Sequence, residues 1–547
     1  MKASPADAAL GTPPRRGPPP AECEVAVVGG GCNGVAIARD AAGRGLSVVL
    51  LERGDLAGET SGASSKLIHG GLRYLEQLEL RLVRESLAER ALLLAAAPHL
   101  VRPQRFVLPV VAGMRPRWQL RFGLALYDRL GGRGALPGSH ALRLSGHRDG
   151  APLRAEFGRG LEYWDASTDD ARLVLGAARD AAARGARICT RTEVVAARRA
   201  DGHWRIDWRD TDGRSGELRA RSLVNAAGPW APGVRQRAAE QRPGRGLRLV
   251  QGSHIVVPRL HEGSAAYVLQ AGDGRVVFVI PWERQYTLIG TTERLLGAPE
   301  DTAVTPEEVA ELCATVGRFL RQAPTPADVL WSFCGVRALV DDGRTATAAM
   351  TRDYAFELQT DHAARSQRAA APLLTVLGGK LTTFRRLGER AVAALSPFHT
   401  RLGPAWTADA LWPGGEFEAV ESRTRARDGH AGMQAAVADF ARALAARHPA
   451  LSASWIEDLV ARHGRTAETL LAGVGTAADL GPDLGPPAHP APAAHLYERE
   501  LAHFVEHEWA TTVDDILLRR SKAVLVADAA TRARLGKWLT ERRGGRD

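Results

Sequence analysis

One stretch near the start of the chain limits the possible folds more than any other. Residues 24–52 comprise an apolar strand, the pattern G-x-G-x-x-G formed by Gly29, Gly31 and Gly34, a helix, and a second apolar strand that ends at Glu52. The first glycine of such a unit permits a tight turn, the second lets the backbone approach a pyrophosphate, and the third lets helix and strand pack closely. The helix N-terminus offers N–H groups to phosphates, and the acid accepts ribose hydroxyl protons. We therefore predict a dinucleotide-binding βαβ unit.

The rest of the chain favours FAD over NAD as the dinucleotide. The glycine fingerprint occurs once, whereas a flavoenzyme that also reduces NAD usually carries two. Residues 194–200 and 203–210 have strand–turn–strand character, and SLVNAAGPW at 222–230 indicates a buried strand that ends in a small-residue turn. A plain NAD domain would continue with alternating strands and helices here. Strands that return beside the cofactor suit the large FAD fold instead.

Length and composition restrict the class of protein. A chain of 547 residues is too long for one hydrophobic core, so two or three domains are expected. Its five cysteines have no C-x-x-C spacing and indicate reduced thiols. The Ala- and Pro-rich residues 1–20 lack the apolar core of a secretory signal, and we expect a disordered extension there. The net charge of +10 admits an anionic partner, but arginines that cover the surface explain it more simply, and we expect no nucleic acid.

A second glycine-containing loop carries a family resemblance. Residues 58–75, GETSGASSKLIHGGLRYL, resemble the flavin-wrapping signature of the FAD-dependent glycerol-3-phosphate dehydrogenases. Further segments resemble that family in its order, over roughly residues 22–545: RLVRESLAER (81–90), DDARLVL (169–175), VNAAGPW (224–230), QGSHIVVP (251–258), VVFVIPW (276–282), IGTT (289–292), CGVR (334–337), TRDY (351–354), GGKLTT (378–383) and LGPAWT (402–407). The chain departs from the family at Ala227 and Ala338, where Thr and Pro are usual, and at residues 166–168, which lack an aromatic residue.

The resemblance implies a reaction. Members of the family oxidise sn-glycerol 3-phosphate to dihydroxyacetone phosphate by moving the C2 hydride to FAD, and they pass the electrons to a membrane quinone. An oxidase on the same scaffold that uses O₂, with this substrate or an amino acid, remains an alternative. So does a non-catalytic, flavin-bearing membrane adaptor. The set Arg73, Arg337 and Arg352 favours a phosphate over an amino acid carboxylate. The joint presence of His254 and Lys380 with these arginines argues against the adaptor.

The resemblance and the loop chemistry also indicate which residues hold the cofactor. The segment GGKLTT is typical of a strand, a glycine turn and a helix start, whose N–H groups would stabilise negative charge on a reduced flavin. The expected cofactor-binding residues are Gly29, Gly31, Gly34, Glu52, Thr60, Ser61, Ser64, Ser65, Lys66, His69, Ala227, Gly228, Gly379, Lys380, Leu381 and Thr382.

The substrate requires donors for a phosphate dianion and a base for the C2 hydroxyl proton. Guanidinium forks match phosphate oxygens, and a lysine adds a point charge. His254 is the first candidate for the base because histidine titrates near neutrality, and His69 is the second. A histidine that only hydrogen-bonds the substrate or the flavin remains equally open. We expect substrate binding by Arg73, Tyr74, His254, Arg337, Arg352 and Lys380, with His254, Arg337 and Lys380 in catalytic roles.

Two other patterns suggest functions of their own. His503, Glu506 and His507 spell the inverted zinc-protease motif, but they fall in an amphipathic helix pair, and we expect no metal. Residues 114–130 join arginines to an aromatic–aliphatic face, which suits a helix on anionic lipid; a core helix with an arginine rim explains the pattern equally well. Because a quinone is lipid-soluble, we expect a peripheral protein on the inner face of the cytoplasmic membrane, and a homodimer is also admitted.

Together these elements predict an α/β fold: a discontinuous Rossmann-like FAD domain, a substrate domain with a mixed or antiparallel sheet, and a helical C-terminal domain. The expected ranges are 21–110, 167–245 and 370–398 for the FAD domain, 111–166 for a connecting helical segment, 246–369 for the substrate domain and 399–547 for the C-terminal domain.

Overall fold

The computed structural model describes residues 14, 17–76, 79–111, 116–131, 136–238, 244–272, 275–341, 353–360, 371–417, 429–486 and 494–544. Its strands are β1 (Glu22–Val28), β2 (Val48–Leu51), β3 (Leu67–Ile68), β4 (Val101–Pro109), β5 (His140–Arg143), β6 (Arg159–Thr168), β7 (Arg187–Cys189), β8 (Thr192–Ala200), β9 (His203–Asp210), β10 (Ser215–Asn225), β11 (Leu247–Pro258), β12 (Ala266–Gln270), β13 (Val276–Trp282), β14 (Tyr286–Gly290), β15 (Arg294–Leu296), β16 (Trp331–Val340), β17 (Ala355–Gln359) and β18 (Leu373–Leu377). Its α-helices are α1 (Cys32–Gly43), α2 (Leu72–Glu76), α3 (Leu80–Ala96), α4 (Arg117–Leu130), α5 (Asp170–Ala183), α6 (Ala231–Arg237), α7 (Pro306–Gly317), α8 (Phe384–Leu395), α9 (Gly429–Arg447), α10 (Ala453–His463), α11 (Thr466–Leu470), α12 (Glu498–His507) and α13 (Ala529–Gly544).

The first sheet is the nucleotide sheet, with the strand order β17-β18-β10-β1-β2-β7 and the β8–β9 hairpin attached to β10. Strand β1 lies at its centre, parallel to both β10 and β2. Residues 25–27 of β1 are fully buried, because layers on both faces of the sheet cover it. This explains why residues 25–28 and β2 are continuous apolar runs. The predicted βαβ unit is present as β1, α1 and β2.

The second sheet is the substrate sheet, with the order β15-β11-β14-β13-β12-β4-β6-β3, to which β16 is joined through β11 and β5 through β6. Its pairs are antiparallel except for β12 with β4. Helix α7 packs on one face with Leu312, Val316 and other buried side chains. The class of fold therefore agrees with the sequence prediction.

The expected domain boundaries need correction in three places. Strand β4 was assigned to the FAD domain, and β6 largely to the connecting helical segment, yet they pair with each other along residues 101–109 in the substrate sheet. Segment 111–166 is therefore helix and strand. Conversely, β17 was placed in the substrate domain but pairs with β18 in the nucleotide sheet. These pairings join segments distant in sequence through backbone hydrogen bonds, which local patterns do not reveal.

The C-terminal region is helical, as predicted, and buried ion pairs attach it to the nucleotide-binding part. The Arg520 guanidinium donates to Asp55 Oδ1 at 2.9 Å, and Lys522 Nζ lies 3.0 Å from Asp169 Oδ1. Asp55 and Glu52 both follow strand β2, so this contact supports the segment that carries Glu52. Among the helices in the described ranges, none has both the length and the apolar character needed to cross a bilayer.

Candidate flavin and substrate site

A cavity of about 480 Å³ lies between the two sheets. At one end it is lined by residues at the carboxyl ends of β1, β2 and β10, and at the other by β11, β13 and β16. Carboxyl ends of parallel strands are the usual place for a dinucleotide in such folds. We call these two parts the nucleotide end and the substrate end.

The glycine turn of the nucleotide end has no room for side chains. Gly29 has a φ of +113°, and a Cβ there would lie 2.6 Å from the Ala226 carbonyl oxygen. A Cβ at Gly34 would lie 1.9 Å from the Gly29 carbonyl oxygen, so Gly34 packs the helix onto the strand and does not line the cavity. A Cβ on the cavity-lining Gly31 would meet the Ser61 Oγ at 3.0 Å. Gly29 and Gly34 thus have the steric roles predicted from their spacing, and the approach of Gly31 to a pyrophosphate stays a prediction.

Glu52 ends β2 at the wall of the cavity, as expected for a ribose-binding acid. Its Oε2 accepts from the Gly30 N–H at 2.5 Å and its Oε1 from the Gly54 N–H at 2.7 Å. Burial raises the pKa of Glu52, while the two backbone donors act in the opposite direction. Each carboxylate oxygen has a second lone pair, so the side chain is oriented and can still accept from a sugar hydroxyl.

The predicted flavin-wrapping loop joins both sheets. Thr60 Oγ1 donates to the Val336 carbonyl of β16 at 2.7 Å, and Ser61 Oγ accepts from the Cys32 N–H at the start of α1 at 2.9 Å. Asn33 Nδ2 donates to the Gly378 carbonyl at 3.1 Å, which connects the first glycine turn to GGKLTT. Hydrogen bonds from β16 and from the start of α1 therefore fix the loop.

Lys66 lies elsewhere than its assignment to cofactor binding suggests. Its ammonium is buried, donates to Asp170 Oδ1 at 2.8 Å and to the Gly62 carbonyl at 3.2 Å, and does not line the cavity. Asp170 Oδ2 also accepts from the Ser64 Oγ at 2.8 Å. Buried charges are retained in pairs, and here the pair fixes the shape of the loop. The DDAR segment was part of the family resemblance, but Asp170 was not singled out.

His254 is buried at the substrate end on β11. Its Nε2 shares a 2.8 Å hydrogen bond with Ser65 Oγ, and its ring stacks on Phe333 with 4.9 Å between ring centroids. Its Nδ1 has no hydrogen-bond partner among the residues described. A tautomer protonated at Nε2 would donate to Ser65 and leave Nδ1 as a proton acceptor.

The titration of the two candidate bases differs from the sequence-based expectation. Burial, followed by the positive charges of Arg337 and Lys66, lowers the pKa of His254 to about 3. Burial also lowers the pKa of His69 to about 4. The argument that histidine titrates near neutrality therefore does not hold here: both rings are neutral at physiological pH. A neutral ring can still accept a proton as a charge-separated transition state forms, but it is a weaker base.

Two positive side chains of the cavity lining have different neighbours: Arg337 acts on His254, and Lys380 lies beside Tyr74. Arg337 on β16 donates from Nη2 to Thr291 Oγ1 at 3.3 Å, and its Nη1 lies 3.9 Å from Glu293 Oε1. The Lys380 ammonium lies 3.6 Å from the centre of the Tyr74 ring. Thr291 and Glu293 also line the cavity. They were not predicted as site residues, although the IGTT segment that contains Thr291 belongs to the resemblance.

Most of the predicted residues surround this one cavity. For Arg73 the structure describes the backbone, in α2, and Arg352 lies outside the described residues. The predicted residues that line the cavity are Gly29, Gly31, Glu52, Thr60, Ser61, Ser64, Ser65, His69, Tyr74, Ala227, Gly228, His254, Arg337, Gly379, Lys380, Leu381 and Thr382.

The inverted zinc-protease motif does not form a metal site as spelled. Glu506 pairs with an arginine of α13 at 2.6 Å. His503 instead lies with His463 and Glu508 in a buried group whose ligand-type atoms are within 4.8 Å of one another. Arg172 forms an ion pair with Glu508 there and donates to His463 Nδ1 at 3.3 Å. A guanidinium therefore supplies positive charge beside this group, and the absence of a metal stays a prediction.

Comparison with known proteins places this geometry in a family. The FAD dependent oxidoreductase family matches residues 24–355, and a family described as the C-terminal domain of alpha-glycerophosphate oxidase matches residues 416–537. The chain therefore belongs to the FAD dependent oxidoreductases. Within them it groups with the FAD-dependent glycerol-3-phosphate dehydrogenases: it is 48% identical over 523 residues to such an enzyme from Pseudomonas aeruginosa, with 94% of each chain covered.

Two further proteins are similar to this chain over nearly their whole length. A D-erythritol 1-phosphate dehydrogenase from Brucella abortus is 43% identical, with 95% of this chain and 98% of that protein covered. A crystal structure of the glycerol-3-phosphate dehydrogenase from Bacillus halodurans with FAD has a TM-score of 0.70 and 24% identity, and covers 98% of this chain and 92% of that one. The glycine cradle, by which we mean Gly29, Gly31 and Gly34, and the oriented Glu52 fit the adenosine and pyrophosphate parts of FAD.

Proposed function

We propose that the chain oxidises sn-glycerol 3-phosphate to dihydroxyacetone phosphate and passes the electrons to a membrane quinone. The observation that supports this most is the composition of one cavity: a glycine cradle lines its nucleotide end, and Arg337, Lys380 and buried His254 line its substrate end. FAD, when bound, supplies the acceptor for the C2 hydride. The chain itself must bind the phosphate, orient C2 and accept the hydroxyl proton.

Arg337 and Lys380 would hold the phosphate. A guanidinium can donate two parallel hydrogen bonds to phosphate oxygens, and a half-buried position strengthens them. Thr291 holds the Arg337 side chain through a 3.3 Å hydrogen bond. From the family resemblance, Arg73 and Arg352 would complete the phosphate site.

His254 would take the C2 hydroxyl proton. Ser65 holds the ring through Nε2, and Nδ1 is the nitrogen left to accept. Binding a phosphate dianion beside Arg337 would offset part of the positive charge that depresses the pKa of His254. The substrate would thereby make its own base stronger.

Anaerobic mixing of the FAD-loaded protein with glycerol 3-phosphate tests the proposal. The flavin absorbance should bleach with glycerol 3-phosphate and remain with glycerol, which lacks the phosphate. Addition of a short-chain quinone should then restore the absorbance faster than O₂ does. Rapid reoxidation by O₂ with formation of peroxide would identify an oxidase instead, and faster bleaching by D-erythritol 1-phosphate would change the substrate.

Helix α4 is the proposed contact with the membrane. Trp118 and Phe122 are 67% and 68% exposed, while Arg117, Arg121 and Arg129 are exposed beside them. Large aromatic side chains in water next to cations suit an anionic lipid interface. Leu124 and Tyr127 of the same helix are buried, so one face packs in the core and the opposite face is the one that we propose for lipid.

Charge reversal tests the docking surface. Arg117→Glu with Arg121→Glu should release the protein from vesicles made of equal parts phosphatidylglycerol and phosphatidylcholine, because each cation near such a surface contributes about 1 kcal/mol. Dye reduction by glycerol 3-phosphate should continue. Arg209→Glu with Arg214→Glu, on the exposed β9–β10 hairpin, changes the net charge equally and should leave vesicle binding intact. Equal release by both pairs would contradict a specific docking helix.

A homodimer stays a prediction, which sedimentation would test.

A further inference from the structure

Helix α4 joins the proposed docking surface to the interior through its opposite face. Tyr127 follows Phe122 by five residues, which places the two side chains about 140° apart around a helix. Phe122 is 68% exposed, whereas Tyr127 is 1% exposed. A single helix therefore carries a solvent-facing aromatic ring on one face and a buried tyrosine on the other.

The Tyr127 hydroxyl has two fixed partners. It donates to Asp165, whose Oδ2 is 2.7 Å away, and it accepts from the Gly70 N–H at 2.8 Å. Asp165 is itself held by the Arg90 guanidinium at 2.6 Å. A Cβ at Gly70 would lie 2.7 Å from the Tyr127 oxygen, so the close approach requires glycine. The hydroxyl uses its only proton on Asp165 and one of its lone pairs on the loop.

Gly70 belongs to the loop that shapes the substrate end. Its neighbours His69 and Gly71 both line the cavity. The His69 N–H donates to Thr382 Oγ1 at 3.2 Å, and the Gly70 N–H donates to the Tyr127 hydroxyl. Two consecutive peptide groups are therefore fixed, the first by Thr382 and the second by Tyr127. The Tyr74 ring covers the α-carbon of Gly71. The position of Gly70 therefore determines where the loop presents Tyr74.

We propose that Tyr127 is a positioning residue whose hydroxyl fastens residues 69–71, which lead into helix α2, to helix α4. The segment that carries His69 and Tyr74 to the cavity is thereby held in the position that glycerol 3-phosphate needs. This inference rests on the proposed function and adds to it a residue that acts on substrate binding through the loop.

Tyr127→Phe tests the positioning role in the absence of lipid. The variant keeps the ring in place and removes the acceptor of a buried N–H, so the KM for glycerol 3-phosphate in dye reduction should rise about tenfold. FAD content should remain full, because the glycine cradle is untouched. The matched control is Tyr267→Phe: Tyr267 is also buried and loses one 2.8 Å bond, to the Asp149 carbonyl, but it does not line the cavity. An unchanged KM in Tyr127→Phe, or an equal rise in Tyr267→Phe, would overturn the proposal.

Discussion

The two ends of the cavity are built in different ways. At the nucleotide end Gly29 and Gly31 line the cavity, and Glu52, which lies there beside other acids such as Asp55, is held by two peptide N–H groups. At the substrate end the lining includes the long charged side chains of Arg337 and Lys380 and the buried ring of His254. The glycine turn leaves room for a ligand because side chains are absent from it, whereas Arg337 and Lys380 bring positive charge. Substitutions should therefore act sterically at one end and electrostatically at the other.

Gly31→Val should have the largest effect. A Cβ at this position already meets Ser61 Oγ at 3.0 Å, and a branched side chain would also occupy the space expected for the pyrophosphate. We expect essentially no FAD in the purified variant, measured by absorbance after denaturation. Gly123→Val in α4 is the control, because nothing lies within 4 Å of a Cβ there. Full FAD occupancy in Gly31→Val would show that the steric account of this end is wrong.

Arg337→Ala should have a graded effect at the other end. Loss of charge-assisted hydrogen bonds, worth about 1.5–3 kcal/mol each, should lower kcat/KM for glycerol 3-phosphate by roughly 10²-fold. FAD should stay bound, and the far slower reaction with glycerol should hardly change. If the two substrates lose rate equally, Arg337 does not bind the phosphate.

The two ends should also respond to pH in opposite directions. In the folded protein the pKa of His254 is about 3 and that of His69 about 4, whereas the ordinary pKa of histidine is 6.5. Below about pH 6.5 the unfolded state therefore binds more protons than the folded state. The free energy of unfolding therefore decreases as the pH falls, by about 2 kcal/mol for each histidine at about pH 5. The pKa of Glu52 is raised, so acidification favours the folded state at the nucleotide end. Other buried histidines contribute as well, and differences between variants isolate each group.

Urea unfolding of the FAD-free protein at neutral and acidic pH measures these contributions. His254→Gln should lose about 2 kcal/mol less than the unmodified chain between about pH 8 and about pH 5. Glu52→Gln should change the pH dependence of the unfolding free energy in the direction opposite to that of His254→Gln. Parallel pH profiles for all three proteins would indicate that burial of these groups does not set their titration.

The nucleotide end could be predicted from sequence because its parts are consecutive. A strand, a glycine turn, a helix and an acid within 24–52 have one common arrangement. The substrate end depends on contacts between distant segments: Lys66 and Asp170 are 104 positions apart, and their ion pair could not be read from either motif. The strand pairing of β4 with β6 was missed for the same reason. Likewise, the low pKa of His254 follows from its burial and its cationic neighbours, which a single sequence does not display.

Ser65 connects the two ends and provides the smallest, most discriminating test. It belongs to the flavin-wrapping loop, yet its hydroxyl bonds His254 Nε2 at 2.8 Å, so it fixes the ring through a group that carries no charge. Ser65→Ala should lower kcat about fivefold, since one neutral hydrogen bond contributes about 1 kcal/mol, with little change in KM or FAD content. The control is Ser222→Ala, which removes a buried bond of the same length, 2.8 Å, to His399 Nε2 away from the cavity and should reduce stability alone. A rise in KM, or a loss of FAD, would place Ser65 in ligand binding instead and would remove His254 from the role of an oriented base.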